Sequence, residues 1–201
     1  MDYTKIEDEA LTAFAEIVRE YCAVVEQHAS IDTVEFIQAI HQLFARLYLG
    51  GLSLPSYHLL FEDDGEDAEA DDYEGEENAP VPLREPDEDR QASERLAELT
   101  ALSSKLGETW FYREVFDPHE PAEPEVTGSL ADDISDTYRD VSAGLHKWDR
   151  GETGPALWEW RFSFETHWGE HVSGGLRAMH ARAAWHELPW PPTGETARRQ
   201  P

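Results

Sequence analysis

The stretch ALWEWRFSFETHWGEHVSGGLRAMH (156–180) decides the fold, because its first half supports two opposite readings. Trp158, Trp160, Phe162 and Phe164 alternate with other residues as the buried face of a strand would. Against that, Leu176, Met179 and Ala183 behind them keep helical spacing, and Pro155 ahead suits the first turn of a helix capped by Thr153 or Gly154. No partner strand is evident elsewhere in the chain. The spacing predicts one long helix from Pro155 past Trp168 to about His186. Its aromatics occupy more than one side, so it is expected to be contacted from several directions and to lie centrally. Gly174 and Gly175 permit a kink or a close helix crossing.

The segments before it also repeat at steps of three and four. Leu11, Phe14, Val18, Tyr21 and Val25 share one face of a first helix over about 4–28, widened by Ile17 and Val24. A second helix starts at Asp32, with Glu35 three residues on completing a capping-box pattern, and buries Phe36, Ile37, Ile40, Phe44, Leu47 and Tyr48. Gly50 and Gly51 weaken its end and Pro55 terminates it. A third helix resumes near Asp89 and carries Leu96, Leu99, Leu102 and Leu106 on one face, ending at Gly107. The words TWFYREVFDPHEP (109–121), aromatic and then proline-rich, read as a packed corner between helices. Ser129 caps a fourth helix in which Ile134, Tyr138, Val141, Leu145 and Trp148 repeat, closed by Gly151. The expected fold is an all-α bundle of about five helices.

Between the second and third helices the composition changes. Residues 62–89 hold 15 acids and one base, Arg84, so this segment carries −14 of the chain's −27. It has one aromatic, Tyr73, and no apolar period, and burial there cannot offset an ordering cost of roughly 1–2 kcal/mol per residue. It is read as a disordered acidic loop. The expected organisation is a single helical domain over 1–188, interrupted by an acidic low-complexity loop over 61–89, with an extended proline-rich tail over 189–201.

These counts exclude several functions. The lone Cys22 among 201 residues leaves no internal disulfide, zinc ribbon or CxxC pair. No run approaches the ~20 apolar residues of a membrane span, and the start MDYTKIEDEA is acidic where a secretory signal would be basic, so a cytoplasmic protein without membrane contact is expected. A net charge of −27 opposes direct nucleic-acid binding. Neither a glycine-rich phosphate loop, a dinucleotide fingerprint nor a Gly-x-Ser-x-Gly elbow is present, and no cofactor is expected from motifs.

Three groups of residues carry candidate chemistry. Asp133, Asp136 and Asp140 lie on one broad face of the fourth helix, where carboxylates gather for a divalent cation, or where acids simply complement a helix dipole and face solvent. On the fifth helix His167 and His171 are four apart, the spacing of two imidazoles on one transition metal, although the Glu of an H-E-x-x-H motif is missing because Trp168 follows His167. With Glu165 these residues form the candidate metal set. Arg161 and Glu165, also four apart, read as a structural charge pair that Arg139 can join. Trp110, Tyr112 and Phe116 with Trp158 and Trp160 form a candidate aromatic pocket, against the simpler reading that they fill the core.

The words FYREVFDP (111–118), SLADDISDTYRDVSAGL (129–145) and the tryptophan-rich 156–180, preceded by FIQAIHQLFARLYLGGLSLP (36–55), resemble a bacterial domain-of-unknown-function family, family 5063. The resemblance covers most of the chain outside the acidic segment. It implies a small all-helical cytoplasmic protein without an established activity, and brings no catalytic residues with it. The acidic insertion is longer than the connection the resemblance implies.

From sequence, the leading functional reading is a non-enzymatic interaction or scaffold module whose acidic arm attracts a basic protein partner. The alternative is a metal-dependent hydrolase of a phosphorylated small molecule, built on Asp133, Asp136, Asp140, Glu165, His167 and His171. A second alternative is an acidic mimic of nucleic acid, which a flexible distribution of charge serves poorly.

Overall fold

Aspartate begins the second helix as its chemistry dictates: the Asp32 carboxylate accepts from the amides of Val34 and Glu35, at 2.8 and 3.5 Å, and the helix runs on as Thr33–Ser53 (α2). In the computed structural model, which describes residues 3–55, 97, 99–186 and 189, α2 follows a first helix, Tyr3–Glu26 (α1). The acidic segment 61–89 and, apart from Pro189, the tail 189–201 lie outside the described residues. A third helix is described over 99–106 (α3), and Gly107, at φ 71°, ends it in the left-handed region that a glycine adopts without penalty.

The segment expected to be an aromatic corner is a β-hairpin. Phe111–Glu114 (β1) pairs antiparallel with Val126–Ser129 (β2), in the register Tyr112 to Gly128 and Glu114 to Val126. Four-residue strands joined by an eleven-residue, proline-rich connection leave too short an alternation to be seen by period. The hairpin is held against the bundle by arginines of the last helix. The Arg182 guanidinium lies 4.9 Å over the buried Trp110 ring and donates to the Thr109 carbonyl, and Arg177 donates to the carbonyl of Arg113.

Leu130–Asp149 (α4) follows β2 directly, and Gly151, at φ 79°, turns the chain into Thr153–Ser163 (α5). Ser129 is the residue before α4, as expected, but its side chain makes no capping hydrogen bond. α5 then passes without a break through a π-helical turn, Phe164–Trp168, into Gly169–Trp185 (α6). The single long helix expected from sequence is therefore present, with its irregularity at 164–168.

Four helices close a ring of contacts: α1 on α2, α2 on α6, α6 on α4 and α4 on α1, with α5 packed chiefly against α4. The periodic residues of α1 (Leu11, Phe14, Val18, Tyr21, Val25) and of α2 are buried as their spacing requires, except Tyr48, which is half-buried. Trp160 and Trp168 are fully buried, and each indole nitrogen has a carbonyl to donate to, Val141 at 2.8 Å and Trp160 at 3.2 Å. Two glycines allow the helices to approach. A Cβ on Gly144 would collide with the Trp160 indole, and one on Gly175 would stand 2.7 Å from the Phe44 ring. No helix of the described residues is long and apolar enough to cross a membrane.

Gly144→Ala should therefore lower stability by about 1–3 kcal/mol through overpacking against Trp160. Gly154→Ala, where nothing lies within 4 Å of the added carbon, should be neutral or slightly stabilising. Thermal denaturation of the two variants against the parent checks the contrast.

Candidate metal centre

The carboxylates of α4 and the imidazoles of the long helix meet because the two elements run antiparallel, so Asp133 faces His171 while Asp140 faces His167. Each histidine contacts its own aspartate through Nδ1, His167 to Asp140 Oδ2 at 2.6 Å and His171 to Asp133 Oδ1 at 3.1 Å. A carboxylate fixes Nδ1 as the protonated nitrogen of a neutral imidazole and leaves the lone pair on Nε2. Both Nε2 atoms then turn to a third aspartate, with Asp136 Oδ2 at 3.9 Å from His167 Nε2 and 3.5 Å from His171 Nε2. The two rings stand edge to face, 4.8 Å between centroids.

One donor atom from each of Asp136, His167 and His171 lies within 4.8 Å of the others. Donors on a tetrahedral zinc sit roughly 3.3 Å apart, given bonds of about 2.0–2.1 Å, so small ring rotations close this set on an ion. Without a cation the same side chains form a hydrogen-bonded network in which the imidazoles meet the aspartates, and Arg139 joins it at 2.8 Å from Asp136 and 3.1 Å from Asp140. A metal ion and the imidazole protons are alternatives at this point.

Behind His171 the network continues into the hairpin. Tyr112 donates its hydroxyl to Asp133 Oδ2 at 2.7 Å, so the two oxygens of one carboxylate serve Tyr112 and His171 separately. Asp133 is only 3% exposed. Burial pushes its carboxyl up to about 6, overcoming the hydrogen bonds from His171 and Tyr112 that favour the charged form. For His171 burial acts to lower the value, and the Asp133 hydrogen bond together with the charges of Asp133, Asp136 and Asp132 outweighs it, leaving the imidazole above its ordinary range. The two titrate as a unit that holds protons more tightly than either partner would in water. Burial, then the Asp133 charge, raises Tyr112 and keeps it a donor. Asp132 is also raised, by burial and then by Asp136.

The network opens on a cleft of about 920 Å³ between the hairpin connection and α4 and α6. Asp132, Asp133 and His171 line it, Asp136 and His167 do not, and Glu114, Glu120, Glu123, Glu125 and Glu170 stand around it with Arg177. The hairpin connection, proline-rich and taken from sequence as a corner, thus supplies much of the wall.

Of the six candidate metal residues, Asp133, Asp136, Asp140, His167 and His171 come together, and Glu165 does not. It pairs with Arg161 at 2.6 Å, and Arg161 also donates to the carbonyls of Gly51 and Leu54. That charge pair forms as expected, while Arg139 sits with the aspartates and His167 instead. The five aromatics proposed as a pocket are placed apart. Trp160 is in the core beside Phe14 and Trp148, Trp158 stacks on Phe162 at 4.9 Å, Trp110 lies under Arg182, Tyr112 reaches Asp133, and Phe116 is exposed at the cleft. Sequence reasoning passed over the link from Tyr112 to Asp133, since a contact across 21 residues between a strand and a helix leaves no periodic signal.

A family model described as a domain of unknown function (DUF5063) matches residues 5–184. The crystal structure of protein BF1032 from Bacteroides fragilis is similar in fold, with a TM-score of 0.62 at 18% identity over 93% of this chain and 96% of that one. No curated protein matches the chain.

The proton-binding pair predicts a pH dependence for the metal-free chain. Between its ordinary value of 3.8 and about 6 the unfolded Asp133 is ionised while the folded one keeps its proton, so stability falls as pH rises through that window. His171, raised in the folded state, adds a further fall above its ordinary 6.5. Asp133→Asn should gain on the parent by on the order of 2 kcal/mol from pH 4 to 6.5 in chelator-treated samples, read by urea titration at each pH. Parallel profiles for the two proteins would contradict it.

Proposed function

The chain belongs to the domain-of-unknown-function family DUF5063, and from the site itself we propose that it is a metal-dependent hydrolase with a divalent transition metal on Asp136, His167 and His171. The observation that carries this reading is the shared direction of the two histidines: Nδ1 of each is tied back to its own aspartate, and both Nε2 atoms face one oxygen of Asp136. Two imidazoles and a carboxylate with a free coordination position are a catalytic zinc set. On such an ion bound water ionises near neutral pH and becomes a nucleophile. Asp132, beside Asp136 and on the cleft wall, is the candidate to take the water's proton. The irregular turn at 164–168 supports the reading, since π-turns inside helices are frequent at functional sites.

The cleft revises the substrate expected from sequence. Its carboxylates repel a phosphorylated compound and favour a neutral or cationic one. The hydrolase reading stands ahead of the interaction-module reading because the converging groups are a few ångströms apart, whereas the acidic segment that suggested a basic partner lies outside the described residues.

Titration of chelator-treated protein with Zn(II), Mn(II) and Fe(II), by calorimetry and thermal melting, should find one equivalent bound with a rise in melting temperature. His167→Ala, His171→Ala and Asp136→Ala should each lose tenfold or more in affinity, and Glu165→Gln should not. With the metal in place, the p-nitrophenyl ester of lysine should be cleaved faster than p-nitrophenyl phosphate. No stoichiometric metal and no melting shift would sink the proposal, and preference for the phosphate ester would sink the substrate assignment alone.

A further inference from the structure

The hairpin reaches the metal-ligand set through one side chain, and the way that side chain is held sets it apart from an ordinary packing tyrosine. Tyr112 stands on β1 opposite Gly128 of β2, and its ring leans on α6 at Gly174. A Cβ on Gly128 would lie 2.6 Å from the ring carbon that bears the hydroxyl, and one on Gly174 would lie 2.8 Å from the hydroxyl oxygen and 2.4 Å from Oε1 of Glu114. Only hydrogen atoms at both positions leave room, so the ring has backbone against it from two elements. Its hydroxyl donates to Asp133 Oδ2 at 2.7 Å. The other oxygen of that carboxylate holds His171 Nδ1 at 3.1 Å, and His171 Nε2 faces Asp136.

We propose that Tyr112 is a positioning residue of the metal centre: by fixing the Asp133 carboxylate it sets the ring orientation and tautomer of His171, so that half of the imidazole ligation depends on the docked hairpin. This inference rests on the metal-dependent reading above. A partner one hydrogen bond behind a ligand, as Asp133 is to His171, typically changes metal affinity by 10–100-fold when removed, and Tyr112 stands one bond further back and acts through it. The other histidine is held differently. Its carboxylate, Asp140, is anchored by Arg139, its neighbour on α4, so the His167 arm is internal to the bundle and needs nothing from the hairpin. The two arms are therefore unequal, and loss of the hairpin contact should affect only one of them.

A purely structural role for Tyr112, tying the hairpin down, would show in stability and leave the imidazoles alone. The test uses the full chain with Zn(II) as probe. Tyr112→Phe keeps the ring between the two glycines and removes the hydroxyl. It should lose severalfold in zinc affinity, less than a direct partner of the ligand would, and the imidazole nitrogen resonances of His171, but not those of His167, should move toward the mixed-tautomer position in metal-free protein. Tyr138→Phe, which removes another tyrosine-to-carboxylate bond, 2.9 Å to Glu26, should change neither. Gly128→Ala, whose added carbon would meet the Tyr112 ring first, displaces the hydroxyl without deleting it and should resemble Tyr112→Phe, which covers the case in which the latter folds poorly. If the parent binds zinc and Tyr112→Phe binds it equally with His171 unmoved, the inference is overturned and the metal reading survives. If the parent binds no zinc, the metal reading fails, and the His171 resonances alone still decide whether Tyr112 orders that ring. An equal shift at both histidines would overturn the one-armed dependence.

Discussion

The contact on which the rest depends is the Trp160 indole lying against Gly144. The ring is fully buried, donates to the Val141 carbonyl at 2.8 Å, and occupies the space that any side chain on residue 144 would take. A large aromatic against a bare backbone brings α4 and α5 close and fixes their sliding register, because the indole nitrogen has to meet one particular carbonyl. With that register set, α4 and the long helix present side chains to each other in antiparallel order. Asp140, Asp136 and Asp133 then pass His167 and His171 in turn. Because the aspartates are three and four apart, a slip of one helical turn would move each into the place of the next and break the match of each histidine to its own carboxylate. The π-turn at 164–168 works in the same direction, packing Phe164 and Trp168 against Gly51 of α2 while His167 stays on the α4 side.

Much of this was legible in the sequence for a physical reason: helical burial is periodic, and period survives in a single chain. The faces of α1, α2 and α4 are buried as spacing required, with Tyr48, Tyr138 and Trp148 half-buried at their margins, Asp32 caps where its side chain allows, and the ambiguous Trp158 to Phe164 alternation resolves as helix. Spacing also put His167 with His171 and Asp133 with Asp136 and Asp140. What it could not supply was the pairing between the two helices, because helix register is decided by the fit of Trp160 to Gly144 and not by the period of either helix. The hairpin escaped for another reason. Its strands are four residues each, and their stability comes from α6 through Arg177 and Arg182 rather than from any alternation of their own. Glu165 was grouped with the ligands by proximity in sequence, whereas helix geometry puts it beside Arg161, four residues back.

The position of Asp133 carries a cost that its partners only partly offset. A carboxylate removed from water is pushed toward its neutral form, and the hydrogen bonds from Tyr112 and His171 do not fully reverse this. An all-apolar packing of the same volume would be the simpler way to dock a hairpin on a helix. A buried carboxylate whose two oxygens are assigned to two different elements makes more sense as a means of orienting what it holds, and what it holds on the inner side is an imidazole facing a second carboxylate.

The charge of −27 bears on the same point once it is divided along the chain. Fourteen of those charges belong to 62–89, and the remainder includes the carboxylates around the cleft. Such a field draws cations of every kind toward the site, so it raises encounter without choosing among them. On the metal-dependent reading proposed above, choice falls to the candidate ligand atoms. Oxygen alone would suit magnesium or calcium, which are abundant and would fill an all-carboxylate site. Two imidazole nitrogens shift the preference to the transition metals, and the absence of any cysteine but the buried Cys22 leaves imidazole as the softest ligand available. Arg139, placed on Asp136 and Asp140, further opposes weakly held cations by occupying the oxygens they would use. An acidic surround with a nitrogen-rich centre thus separates attraction from selection.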